Sequence, residues 1–206
     1  MLDTIFIVVV IIFSAVIHEV MHGVAADMLG DKTARYAGRL TLNPIPHLDM
    51  FGSIILPLFL AFSNSPFFFG WAKPVPYNPY NLKPGRFSEA IVAGAGPASN
   101  AAIALVFSAV IRLGVFPPEI NSIFFLIVVV NTMLFLFNLI PIPPLDGSKV
   151  LEALLPRTLV RGYEQWRFRL ESNPFLGMGL VVLVIVLLGG EFGRLVYSLA
   201  AAIAGM

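Results

Sequence analysis

Cysteine is absent from all 206 residues, so neither a disulfide nor a thiolate-held metal is available to this chain. Charge is scarce too: Asp, Glu, Lys and Arg make up 12% of the residues, about half the roughly 25% of a soluble domain. With 58% hydrophobic residues and a mean hydropathy of +0.87, the composition is that of an integral membrane protein. The net charge of +1 comes with no basic cluster, which argues against nucleic acid as a partner. A positively charged n-region and a small-residue cleavage site are both missing, so the first apolar run reads as a retained helix. Internal repeats, low-complexity tracts and linkers are missing as well. The expectation is a single membrane-embedded domain over 1–206, with a core at 5–151, an amphipathic surface segment at 152–171 and a C-terminal helix at 175–204.

What is present are runs of span length at 4–26, 50–72, 90–111, 120–145 and 172–190, uncharged apart from the His18, Glu19 and His22 group in the first. A span needs about 20 apolar residues. Four of the runs read as transmembrane helices, giving an all-α polytopic fold. The run at 50–72 differs, because Pro57 and the Ser63-Asn64-Ser65-Pro66 turn interrupt it before Phe67-Phe68-Phe69-Gly70-Trp71. It reads as a re-entrant segment that enters and returns, packed on protein or a wet cavity. The last helix is expected from Phe175 to Leu188, interrupted at Gly189-Gly190-Glu191 before a weakly apolar tail.

Charge supports the re-entrant path. If 50–72 does not cross, Lys32, Arg35, Arg39, Lys73, Lys83 and Arg86 share one side with Lys149, Arg157, Arg161, Arg167 and Arg169. Only Arg112 and Arg194 remain opposite. Basic residues concentrate on the cytoplasmic side, so the N-terminus is expected outside the cell membrane. The stretch 152–171, with alternating charge and Tyr163, Trp166 and Phe168, fits an amphipathic helix on the cytoplasmic surface.

The chemistry sits in the first run. His18, Glu19 and His22 are the only ionisable side chains between residues 4 and 26. Ionisable groups inside a span are costly unless paired or metal-bound. Positions i and i+4 share one helix face, so His18 and His22 can offer two imidazoles to one metal, with Glu19 beside them to take a proton from water. Two histidines leave a catalytic zinc site one ligand short. Asp146 is the natural candidate, because Asn138-Leu139-Ile140-Pro141-Ile142-Pro143-Pro144-Leu145-Asp146-Gly147 must unwind at its prolines and leaves a carboxylate at membrane depth. The runs at 4–26 and 120–145 cross in the same direction, which brings His18, His22 and Asp146 to one level near the cytoplasmic side.

Ala93-Gly94-Ala95-Gly96-Pro97-Ala98-Ser99-Asn100 opens the antiparallel helix at that level. Its small residues permit close packing, and Asn100 either points an amide at the site or hydrogen-bonds a neighbouring helix. His47 either ligates metal, caps the substrate path or fixes its loop. It is left outside the metal shell.

The order His18-Glu19-x-x-His22, Gly96-Pro97-x-x-Asn100 and Asn138-x-x-Pro141-x-Pro143-Pro144-Leu145-Asp146-Gly147 resembles the site-2 protease family of intramembrane zinc metalloproteases. The likeness covers about residues 5–151. It implies one zinc per chain held by His18, His22 and Asp146, with Glu19 as general base. It also implies that Asn100 and Asn138 place the substrate backbone or the oxyanion, although Asn138 equally suits backbone freed by Pro141. The implied partners are the lipid bilayer and a transmembrane protein or peptide substrate. Neither a PDZ nor a CBS domain is expected in the chain. Residues 67–71 would offer a strand edge to an unwound substrate. The alternative is a zinc-binding membrane protein without peptidase activity, against which Glu19 argues, since a pure binding site needs no base beside its first ligand.

Overall fold

A computed structural model describes residues 2–55, 59, 62 and 72–206. Its helices fall into two compact units, Met1–Lys83 and Pro84–Met206. Among the described residues, four helices are long and apolar enough to cross a membrane, at Phe6–Met28, Ser88–Arg112, Pro118–Asn138 and Phe175–Ala204. This is the all-helical, multi-pass architecture expected from the apolar runs.

The first unit is built on α1 (Leu2–Met28), whose apolar sequence forms seven or so turns without a proline. Its C-terminal end is tied down by Arg35 of the short α2 (Thr33–Tyr36), which donates to both carboxylate oxygens of Asp27 at 2.8 and 2.7 Å. The chain turns at Gly30, whose φ of 110° suits only glycine. Two single-turn 3₁₀ helices follow at Ile45–His47 and Pro79–Asn81. Met50–Ile55 is wound as a π-helix, opened by Asp49, whose carboxylate accepts the Phe51 and Gly52 N–H groups at 3.0 and 2.7 Å. Of the rest of the expected re-entrant path only residues 59, 62 and 72 are described, and the proposed edge at 67–71 lies outside the described residues.

The second unit contains α3 (Ser88–Arg112), α4 (Pro118–Asn138), α5 (Asp146–Leu154), α6 (Arg157–Glu171) and α7 (Pro174–Ala204). Small residues let α3, α4 and α7 approach closely: Ala104, Ala200 and Ala204 are buried with Ile111 and Val128, and Phe107, Phe124 and Phe125 close around them. Arg112 at the end of α3 donates to the carbonyls of Ile203 and Ala202 at 2.7 Å each, capping the terminal carbonyls of α7.

Three boundaries differ from the sequence reading. The small-residue stretch around Gly96 does not open its helix; α3 starts at Ser88 and carries Pro97 inside it. Helical structure after Asp146 is divided at Pro156, which has no N–H to continue α5 and serves as the N-cap of α6. The expected interruption at Gly189-Gly190-Glu191 does not occur. Helix α7 runs through it, because glycine costs a helix only about 1 kcal/mol and this turn gains an ion pair between Arg194 and Glu191 and a ring contact between Phe192 and Phe137.

Candidate metal centre

Helix α1 places the His18 and His22 side chains one above the other. Their Nε2 atoms lie 3.0 Å apart and their rings stand at 86° with centroids 4.6 Å apart. A donor atom from each of His18, Glu19 and His22 lies within 4.8 Å of the others. Two nitrogens each about 2.05 Å from one tetrahedral metal would be roughly 3.3 Å apart. The observed separation therefore suits a shared cation, and the donor set of two imidazoles and a carboxylate suits zinc or a similar divalent metal. His18 is buried, while Glu19 and His22 are half-buried.

Glu19 is held from outside its helix. Its Oε2 accepts the backbone N–H of Val75 at 2.8 Å. One turn on, Gly23 makes room for that approach: a Cβ there would lie 2.6 Å from Leu40 Cδ2 and 2.9 Å from Val75 Cγ1. The chain around Val75 is pinned on both flanks. The Lys73 N–H donates to the His47 carbonyl at 2.8 Å, and Arg39 Nη2 donates to the carbonyls of Lys73 and Pro74 at 2.8 and 3.3 Å. Asp31 holds the far end, accepting the Asn78 N–H at 2.6 Å and the Asn81 amide at 3.0 Å. Asp31 is fully buried. Burial opposes its charge, but the donors from Thr33, Asn78 and Asn81 outweigh that and hold its carboxyl below the usual aspartate range.

His47 is also buried, with Nε2 donating to the Thr41 carbonyl at 2.9 Å. That bond fixes the loop 41–47 around the Lys73 contact, and His47 does not belong to the cluster of close donor atoms.

The other expected residues lie in the second unit. Asp146 is the first residue of α5, half-buried at the positive end of the helix. The turn before it folds back so tightly that a Cβ on Gly147 would lie 2.2 Å from the Leu139 carbonyl oxygen. Asn100 is fully buried on α3 and donates to Asn131 Oδ1 on α4 at 3.0 Å. Asn138, at the last turn of α4, donates to the Leu134 carbonyl at 2.9 Å. Val75, Arg39, Asp31 and Asn131 were not singled out from sequence. Val75 sits in what reads as a proline-rich loop, Asp31 and Arg39 in the charged stretch after the first span, and Asn131 reads as one polar residue in an apolar span.

Comparison with known proteins identifies the family. Peptidase family M50 matches residues 115–168, the stretch that carries Asn131, Asn138 and Asp146. YwhC of Bacillus subtilis is 39% identical over 160 residues, covering 73% of this chain and 69% of that protein. The chain belongs to peptidase family M50. Rip2 of Mycolicibacterium smegmatis is similar at 31% identity over 192 residues, covering 90% of this chain and 69% of its own length. Both relatives carry the words zinc metalloprotease in their names. No solved structure matches the chain. This M50 protein is a multi-pass membrane metalloprotease of the site-2 protease family, as the motif order led us to expect.

Proposed function

We propose that this protein is an intramembrane zinc metalloendopeptidase that cuts transmembrane or membrane-proximal segments of protein substrates. The observation that carries the reading is the His18, Glu19 and His22 cluster, three close donor groups on a helix apolar enough to span a membrane. The metal is zinc, which the names of the two relatives support, and one ion serves each chain. His18 and His22 hold it together with Asp146, the acidic residue that follows the proline-broken end of α4. The N-terminus lies outside the cell, and the site faces the cytoplasm, on the side richer in Lys and Arg.

Bound zinc would supply Lewis acidity, polarising the scissile carbonyl and easing the ionisation of water. Glu19 takes the proton from the attacking water as the water oxygen bonds to the carbonyl carbon. It then delivers that proton to the amide nitrogen as the C–N bond breaks, leaving a carboxylate and an amine. The Asn100 and Asn138 amides place the substrate backbone or receive the developing oxyanion. A helix hides its carbonyls in its own hydrogen bonds, so the substrate segment must unwind before it can react.

The test uses purified protein in detergent, with zinc content and cleavage of a transmembrane model peptide measured for wild type and Glu19→Gln. Zinc near one per chain in both, with cleavage in wild type alone, is the expected result. Absence of zinc from both, or equal cleavage by both, would sink the assignment.

A further inference from the structure

The contact on Glu19 comes from a segment that has little freedom to be elsewhere. Pro74 and Pro76 have no N–H, and each holds its preceding residue in extended backbone. Residues 73–77 therefore carry three amide protons, on Lys73, Val75 and Tyr77. The Lys73 proton goes to His47 and the Val75 proton to Glu19, 2.8 Å away in each case. Carbonyls on the same stretch are claimed by Arg39, a buried residue whose guanidinium Nη2 bridges Lys73 and Pro74. Asn78, in extended backbone at φ −114° and ψ 110°, is latched to the buried Asp31. The Val75 side chain is buried as well, against the gap left by Gly23. The strap is thus fixed upstream, downstream and against α1, and its Val75 amide meets Glu19.

We propose that residues 73–78 form the positioning strap for the general base: the Val75 N–H fixes the Glu19 carboxylate, and Arg39 is a positioning residue that acts through the strap. The proposal rests on the reading of Glu19 as base. A glutamate on a helix has three rotatable side-chain bonds, and a base must sit within hydrogen-bond reach of the proton it removes. One oxygen tied to a rigid amide confines the carboxylate, leaving the other for water. The bond comes from backbone, so no substitution of the Val75 side chain other than proline deletes the donor.

Amide hydrogen exchange on the full zinc-loaded chain in detergent tests the contact without reference to activity. With only three exchangeable amides in residues 73–77, loss of protection at one of them is resolvable. Glu19→Ala is expected to speed exchange of one amide there about tenfold or more, and Glu19→Gln, which keeps an acceptor oxygen, much less. Equal protection in wild type and Glu19→Ala would overturn the strap. Kinetics then tests its role. Val75→Pro, with zinc retained, is expected to lower kcat about tenfold or more at little changed KM. Val75→Ala, which keeps the N–H, should retain more kcat than Val75→Pro. Arg39→Ala should lower kcat, and Arg39→Lys, still able to reach a carbonyl, should restore part of it. Val75→Pro cleaving as fast as Val75→Ala would overturn the proposal while Glu19→Gln stays inactive. Cleavage by Glu19→Gln at the wild-type rate would instead remove the base assignment itself, and the strap's role with it.

Discussion

Gly147 has almost no room for a side chain. Its missing Cβ would come within 2.2 Å of the Leu139 oxygen, 2.4 Å of the Leu139 carbon and 2.6 Å of the Ile140 oxygen, all of them backbone. Nothing there is the movable end of a side chain, so Gly147→Ala must push apart the turn that delivers Asp146. We expect it to lower stability by about 3 kcal/mol or more and to lower metal content along with it. Gly162, inside α6 with open space around its Cβ position, is the matched contrast. Gly162→Ala should raise stability by up to about 1 kcal/mol through helix propensity alone. Thermal unfolding of the two variants in one detergent checks both. A mild effect at Gly147 would mean that the turn is looser than its backbone contacts imply. The same scale explains what sequence could and could not reveal about the candidate site. His18, Glu19 and His22 are legible because a helix brings i and i+4 together by itself. The pairing of Asn100 with Asn131 needs two helices to meet, and no spacing within either one announces it.

Among elements, the strap depends on Asp31, which accepts from Thr33, Asn78 and Asn81 while fully buried. A carboxylate whose folded pKa lies below its unfolded value stabilises the fold while ionised. That stability is present above the unfolded pKa of about 3.9 and is lost as pH falls through the lower, folded pKa. The first unit should therefore lose resistance to unfolding below about pH 4, and Asp31→Asn should flatten that acid limb. Asp31→Ala should cost about 3 kcal/mol at neutral pH, since it orphans several buried donors. Melting temperature against pH for wild type and Asp31→Asn is the measurement, and identical acid limbs would exclude Asp31 as the group responsible. The strap also marks the limit of reading elements from sequence. The four spans are legible because apolar length has one physical meaning in a bilayer. Residues 72–78 carry two prolines and no period, so they read as a loop, although hydrogen bonds to Arg39, His47, Asp31 and Glu19 make them a fixed part of the unit. The glycines at 189 and 190 mislead in the opposite direction: they resemble a stop, yet a long apolar helix tolerates them.

For the whole molecule, the proposed ligand set has a thermodynamic consequence. His18 and His22 belong to the first unit and Asp146 to the second. A metal held by all three binds only when both units are folded, so binding free energy adds to the stability of the entire chain. At a free zinc concentration about a hundred times the dissociation constant, the gain is about 2.7 kcal/mol. Zinc should raise the wild-type melting temperature, and a chelator should reverse the rise. His22→Ala should abolish the zinc dependence, because one imidazole of the 3.0 Å pair is gone. Asp146→Ala is the decisive variant. If Asp146 is the third ligand, zinc affinity falls at least about tenfold, and the thermal shift shrinks by about 1.4 kcal/mol or more at fixed zinc. If Asp146→Ala keeps the wild-type dependence, the metal belongs to the first unit alone.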